Sequence, residues 1–321
     1  MRPVPLSVLD RSRTRTGETE AETLRATVEL ARQVEELGYQ RFWVSEHHSV
    51  PGVVGSAPTV LAAAVAARTE KIRVGTGGVM LPNHQPLVVA EQFGVLESLY
   101  PGRIDMGLGR SVGFTNGVRR ALGVEKDAAD DFATQVRSLL GYLTGDADNQ
   151  VHARPGEGLR IPPFILAVGE GAAIAASLGL PVVLAARSDS AALVSQYREA
   201  FQPSAWAAEP YVILAVTAAV ADSTEAARQL LLPEAWASAY SRTRGVFPPL
   251  QPSVPDEMTA REREFFDNAL RGQIYGTPDE VDDALGELVD RTGADEILIT
   301  TNTYDRAALL ASYAALAKLT G

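Results

Sequence analysis

One rhythm limits what this chain can become. A short apolar run is followed by a longer segment of helical spacing, and the pair recurs eight times in 321 residues. Pro5–Leu9, Arg41–Ser45, Ile72–Gly75 and Ile104–Leu108 read as strands, and Phe164–Val168, Val182–Ala185, Tyr211–Val216 and Glu296–Thr300 repeat the pattern. Between them, apolar residues fall three and four apart, the mark of one buried helical face. Leu24, Val28, Ala31, Val34 and Leu37 form such a set, and so do Phe132, Val136, Leu139 and Leu143. Further helices are expected over Thr59–Ala67, Leu87–Leu99, Ala172–Leu178, Ala191–Ala200, Glu225–Leu232 and Ala307–Leu319. Two capping boxes mark helix starts, Thr19 with Glu22 and Thr277 with Glu280 behind Pro278. In each, hydroxyl and carboxylate satisfy orphan backbone N–H groups reciprocally.

Regular alternation of strand and helix predicts an α/β fold, a (β/α)8 TIM barrel forming a single domain over 1–321. A doubly wound sheet is the competing architecture. It wants a GxGxxG turn after its first strand, and Leu9-Asp10-Arg11-Ser12 supplies none. Two stretches break the rhythm: Thr144–Pro162, rich in Gly, Asp and Pro, and Pro233–Gly276, which carries Trp236, Tyr240 and Phe247. The second is expected to be an insertion near the C-terminal part of the barrel, serving as a lid or substrate segment. Its aromatic content points to an apolar or aromatic substrate.

The chain has no cysteine, which removes disulfides, thiolate metal sites and cysteine nucleophiles together. It carries 40 Asp+Glu against 29 Lys+Arg, which argues against nucleic acid or an anionic membrane as a partner. Val50–Ala67 approaches the length of a membrane span, but Pro51, Gly52, Gly55 and Pro58 interrupt it. Met1–Asp10 has one basic residue and a short apolar run, not a signal-peptide pattern. The expectation is a soluble, cytoplasmic protein.

Barrel chemistry sits at the carboxyl ends of the strands. The residues that follow the expected strands include Asp10, Glu46-His47-His48, Gly77-Gly78, Asn83-His84, Gly109-Arg110-Ser111, Gly169-Glu170-Gly171 and Thr300-Thr301-Asn302. Three of the four histidines fall in this set, and imidazole is the side chain best matched to proton transfer near neutral pH. HExxH is absent and adjacent histidines tend to diverge, so no metal site is expected. Arg110 follows a Gly-rich turn, where backbone can approach an anion and a guanidinium can fork onto phosphate oxygens. Gly169 and Gly171 open a helix at the same barrel face, where N–H groups favour an anion. Two such turns suggest a phosphorylated ligand. The Gly77-Gly78 pair suits either a flat ligand or a tight turn. Asp10, His48, His84 and Thr301 stand as candidates for contact with substrate.

Three blocks, Phe42-Trp-Val-Ser-Glu-His-His48, Val74-Gly-Thr-Gly-Gly-Val-Met-Leu-Pro82 and Pro101-Gly-Arg-Ile-Asp-Met-Gly-Leu-Gly-Arg110, resemble the bacterial luciferase-like flavin-dependent monooxygenases. Gly276-Thr-Pro-Asp-Glu280 and Ala294-Asp-Glu296 are similar too, so the resemblance runs from Leu6 to about Leu316. It implies reduced FMN from a separate flavin reductase, and oxygenation of a small organic substrate by O2 through a C4a-peroxyflavin. It implies that His47 is the catalytic histidine and that Gly77-Gly78 form a non-prolyl cis peptide beside the flavin ring. It places the flavin phosphate at Arg110, with Gly109, Ser111, Gly169 and Gly171 around the cofactor, and Glu91 at a homodimer interface.

The chain also departs from that pattern. Val168-Gly-Glu-Gly-Ala-Ala173 has no hydroxyl where the luciferases carry them, and Glu170 turned inward would repel phosphate. Gly109 replaces the luciferase cysteine near flavin C4a, which weakens any case for light emission. Two other readings stay open: an F420-dependent hydride-transfer oxidoreductase on the same fold, and a non-catalytic flavin-binding or partner subunit. A hydrolase using Asp10 and Glu46 is more distant.

Overall fold

The computed structural model describes residues 4–146, 151–167 and 171–320. Eleven strands occur in it: β1 (Leu6–Asp10), β2 (Arg41–Val44), β3 (Arg73–Thr76), β4 (Val79–Met80), β5 (Ile104–Gly109), β6 (Pro163–Ala167), β7 (Val182–Ala185), β8 (Val212–Val216), β9 (Ala218–Val220), β10 (Ile274–Gly276) and β11 (Glu296–Ile299). The α-helices are α1 (Glu20–Glu36), α2 (Pro58–Ala66), α3 (Pro86–Leu99), α4 (Asn116–Leu122), α5 (Phe132–Thr144), α6 (Gly171–Leu178), α7 (Ser190–Ala200), α8 (Thr224–Arg244), α9 (Ala260–Leu270), α10 (Pro278–Thr292) and α11 (Arg306–Ala317).

Eight strands pair in parallel around a closed circuit, β1-β2-β3-β5-β6-β7-β8-β11 and back to β1. This is the (β/α)8 TIM barrel expected from the alternation. The short β4 adds to β5, and β9 pairs with β10 outside the barrel. The two capping boxes form at Thr19 and Thr277. No helix among the described residues is long and apolar enough to cross a membrane.

The barrel interior is filled by its own cluster, Leu9, Trp43, Phe164, Val183, Ile213 and Leu298, one residue from each of six strands. Glycines on β3 and β5 let Trp43 and the two strand backbones pack closely. A Cβ on Gly75 would sit 2.9 Å from Trp43 Nε1, and one on Gly107 would run into the Thr76 carbonyl oxygen. Toward the amino end lies a buried ionic cluster. Arg41 donates from Nη1 to Asp105 Oδ2 (2.8 Å) and from Nε to both oxygens of Glu296 (3.0 Å). Arg73 donates to Asp105 Oδ1 at 2.6 Å, Trp43 Nε1 to Asp105 Oδ2 at 3.1 Å, and Tyr211 Oη to Glu296 Oε2 at 2.8 Å.

The stretch 233–276 differs from its expectation. Helix α8 does not stop at Leu232 but runs through Pro233 to Arg244. Proline removes one backbone hydrogen bond, but here it is buried, and Leu231, Leu232, Ala235, Trp236 and Ala239 flank it in a continuous apolar face. That face packs on Phe266 and Leu270 of α9, giving a second, smaller core. Trp236 and Tyr240 meet edge to face at 5.9 Å within it. Of the aromatics expected to face an apolar substrate, Trp236 and Tyr240 stabilise the α8–α9 hairpin instead, and Phe247 lies under the Arg13 guanidinium. Of the other irregular stretch, 147–150 lie outside the described residues, while Ala153 and Ile161 join the main core.

The close approach of β3 to β5 makes a direct prediction. Gly107→Ala is expected to lower stability by roughly 2–3 kcal/mol through overpacking, read as a lower urea midpoint at unchanged slope. Gly109→Ala, whose Cβ would meet only Val79 O at 3.7 Å, should stay within about 0.5 kcal/mol of the parent. Equal midpoints for Gly107→Ala and the parent would contradict this packing.

Candidate active site

Strand β2 ends at Val44, and the next four residues carry the chain over the barrel rim. Glu46 is buried there and accepts three hydrogen bonds. Its Oε1 faces His48 Nε2 at 2.6 Å and His84 Nε2 at 2.9 Å, and its Oε2 accepts from the Met80 backbone N–H at 2.8 Å. Burial pushes the carboxyl up, but the hydrogen bond and charge of His84, the Met80 N–H and His48 outweigh it and hold the group below the usual carboxylate range. Glu46 thus remains an anion that ties the end of β2 to β4 and the turn after it.

His47 points elsewhere. Its backbone N–H donates to Gly55 O at 2.8 Å, its Nδ1 meets Ser45 Oγ at 3.1 Å, and its ring stacks on Phe114 with centroids 6.2 Å apart. Burial, with Arg11 and Arg13 adding positive charge nearby, pushes the imidazole down to about 4. His47 is therefore neutral across the physiological range, and its Nε2 has no protein partner among the described residues.

A cavity of about 670 Å³ opens at the carboxyl ends of the strands, within the size range of ligand pockets. Its wall gathers His47, Gly77, Gly78, Gly109, Arg110, Ser111 and Gly171 from four different segments. The Gly77–Gly78 peptide is cis. Gly169 and Glu170 lie outside the described residues. Among the described residues, the only carboxylate in the wall is Glu46, already held by three donors. Such a wall can hold a flat ligand against glycine backbone and an anion against guanidinium, beside a neutral imidazole.

The four substrate-side expectations are placed differently. Asp10 Oδ1 accepts from Ser12 N at 2.8 Å, and Thr301 Oγ1 joins the Ala218 backbone N–H and carbonyl. His48 and His84 turn to Glu46. None of the four lines this cavity. The wall instead adds Phe114, Arg119 and Lys126, which sequence reasoning missed. They lie between β5 and α5, where neither rhythm nor motif marks them. Also missed were Arg13 and Arg15. Arg13 is buried, donates to Gly52 O, to Pro248 O at 3.3 Å and to Glu234 Oε2 at 2.8 Å, and lies 4.2 Å over the Phe247 ring. Arg15 donates to Thr303 O and Tyr304 O. Their alternation in Arg11-Ser-Arg-Thr-Arg15, directly after a barrel strand, was the available signal.

A barrel with one rim cavity of this make-up defines a small-molecule enzyme scaffold, and comparison with known proteins gives its family. A family model described as luciferase-like monooxygenase matches residues 4–315. Uncharacterized protein YvbT of Bacillus subtilis (strain 168) is 42% identical, covering 97% of this chain and 95% of its own. N-acetyl-S-alkylcysteine monooxygenase from the same organism is 42% identical over 57% of each chain. The crystal structure of apo-MsnO8 matches with a TM-score of 0.87 and 32% identity, over 98% of both chains. The chain belongs to the luciferase-like monooxygenase family. Two more distant structures share the fold alone: the oxygenating constituent of 3,6-diketocamphane monooxygenase in complex with FMN (TM-score 0.73, 18% identity) and an F420-dependent secondary alcohol dehydrogenase (0.74, 13%). The first covers 98% of this chain and 97% of its own, the second 99% of both.

The depressed basicity of His47 has a consequence for stability. Below about pH 6.5 the unfolded chain takes up a proton that folded His47 refuses until about pH 4. This group's contribution is thus present above pH 6.5 and lost as pH falls toward 4. His47→Gln is expected to lose less stability than the parent between pH 7 and pH 4.5 in urea unfolding. Identical losses would contradict a depressed imidazole.

Proposed function

We propose that this protein is an FMN-dependent monooxygenase acting on a small organic substrate, with the reduced flavin supplied by a separate reductase. The observation that carries this reading is the rim cavity. It brings glycine backbone, three cationic side chains and a neutral histidine into one wall. When bound, reduced FMN supplies the electrons with which O2 is split, one oxygen atom entering the substrate and the other leaving as water.

The chain's own residues have separable tasks in this reading. Gly77, Gly78 and Gly109 carry no side chain that would hold the ring off the backbone. Arg110, Arg119 and Lys126 offset the phosphate charge, and so stand in for the hydroxyls absent from Val168–Ala173. Arg110 now reaches Ala129 O at 3.2 Å and Asp130 Oδ1 at 3.5 Å, which ties it to the segment that carries Lys126. Phe114, 66% exposed and stacked on His47, is placed to cover a bound ring and exclude water. With Nδ1 held at Ser45, His47 offers Nε2 to position a proton or a polar atom of the substrate. The α8–α9 hairpin, pinned through Glu234 to Arg11 (2.6 Å) and Arg13 (2.8 Å), supports the mouth as an inserted segment of the single domain.

A homodimer is part of the same proposal. Val88, Val95 and Leu99 recur along one side of α3 and are 45%, 46% and 63% exposed, beside Val60 of α2 at 70%. Glu91 lies on α3 between them. Apolar side chains left open on two adjacent helices favour burial against a second copy.

Two measurements test the reading. With an FMN reductase and a panel of small organic substrates, O2 uptake should depend on substrate, and His47→Ala should lower kcat/KM by roughly 10²-fold or more. Parent-like turnover by that variant would remove His47 from catalysis. Binding titrations should favour FMN over riboflavin, and Lys126→Ala should erase most of that preference. Equal binding of FMN and riboflavin would contradict a phosphate site, and binding of F420 alone would select hydride transfer instead.

A further inference from the structure

We propose that a second cavity at the barrel mouth is a subsite for the anionic head of the organic substrate, a carboxylate or a sulfonate. This deepens the monooxygenase reading and rests on it for the fate of the ligand, though not for its binding. The cavity measures about 1160 Å³ and lies against the ends of β7, β8 and β11 and the segment joining α9 to α10. Arg11, Arg187, Arg271 and Arg291 line it, and among the described residues no Asp or Glu does. In a chain with 40 acidic residues against 29 basic ones, a wall with that composition stands apart.

The state of each guanidinium sharpens the point. Arg11 and Arg13 share the single carboxylate of Glu234, so that group keeps a positive charge in excess. Arg187 meets Asp189 at 3.4 Å, with both side chains more than half exposed, a pairing worth little in water. Arg271 and Arg291 have no side-chain hydrogen bond or ion pair among the described residues. Both sit near helix C-termini, of α9 and α10, where the helix dipole favours a cation. The dipole accounts for two cations; it does not account for four guanidinium groups with no carboxylate in the wall. Guanidinium forks match the paired oxygens of a carboxylate or sulfonate.

The rest of the wall defines the other end of the ligand. Leu9, Val216, Ile274 and Leu288 are apolar, and Ala185 and Ala215 line both this cavity and the rim cavity beside it. Two alanines at the shared boundary leave room for a chain to pass. A ligand with its head at the arginines and an apolar body across Ala185 and Ala215 reaches the place where His47 and the glycines meet. The geometry selects an amphiphilic organic acid of modest length over a neutral hydrocarbon.

The test is calorimetric binding to the FMN-loaded protein, using matched pairs: hexanoate with hexanamide, phenylacetate with phenylacetamide, and hexanesulfonate as the second anion class. The acids should bind at least tenfold more tightly than their amides, with the advantage shrinking as salt rises. Arg271→Gln and Arg187→Gln should each remove most of the preference for acid, leaving amide binding and FMN affinity unchanged. Both side chains are exposed, so folding should persist, and an unaltered urea midpoint confirms it. Amides binding as tightly as acids, unchanged acid binding in both variants, or no binding of any acid would each overturn the proposal. FMN affinity is scored separately. Should FMN fail to bind, the monooxygenase reading fails, while the acid–amide comparison is still made on the same chain without it.

Discussion

At the amino end of the barrel, Arg41 and Arg73 face Asp105 and Glu296 in a cluster largely closed from water. With Ser7, Trp43 and Tyr211 donating to the same carboxylates, it ties β1, β2, β3, β5 and β11 to the start of β8. Removing one member would leave a charge unpaired in the interior, which costs about 3–5 kcal/mol. Burial pulls the Arg41 guanidinium toward losing its proton, but Asp105 and Glu296 overcome it and raise its basicity. The cluster fixes where Trp43 stands, since Asp105 holds its indole N–H. Trp43 in turn lies against Gly75 of β3 and Gly77 just after it, and Gly77 lines the rim cavity. The width and level of the site follow from charges several residues below it.

The mouth is organised by a second set of polar anchors with different work. Glu46 draws His48, His84 and the Met80 N–H inward, which leaves His47 as the histidine that faces the cavity. Arg13 and Arg15 fasten the loops after β1, β2, β11 and the α8–α9 hairpin to one another. The charge of Arg13, with that of Arg11, also helps keep His47 neutral. Arg13 thus both holds the rim together and adds to the burial that keeps His47 unprotonated.

The barrel was legible in the sequence because each strand and helix carries its own periodicity, and such signals survive without tertiary context. The site was legible where barrel topology alone places residues, at strand ends, and where the blocks around His47, Gly77-Gly78 and Arg110 carried a resemblance. Legibility ended where long-range pairing decides. Nothing in the local sequence shows that Glu46 would claim two histidines, or that Thr301 would bond to the Ala218 backbone rather than face a ligand. Pro233 suggested a break, but the apolar face on either side of it outweighed one lost hydrogen bond. Arg119 reaches the cavity from the short helix α4 and Lys126 from the 3₁₀ turn after it, segments too short to carry a periodic signature.

The account turns on whether the rim cavity takes a flavin phosphate. A crystal structure of the protein soaked with FMN measures this most directly. It should show the phosphate within hydrogen-bonding distance of Arg110 and Lys126, and the ring lying over Gly77-Gly78 beside His47. Flavin bound with its phosphate away from both cations, or a cavity that stays empty at saturating FMN, would contradict it.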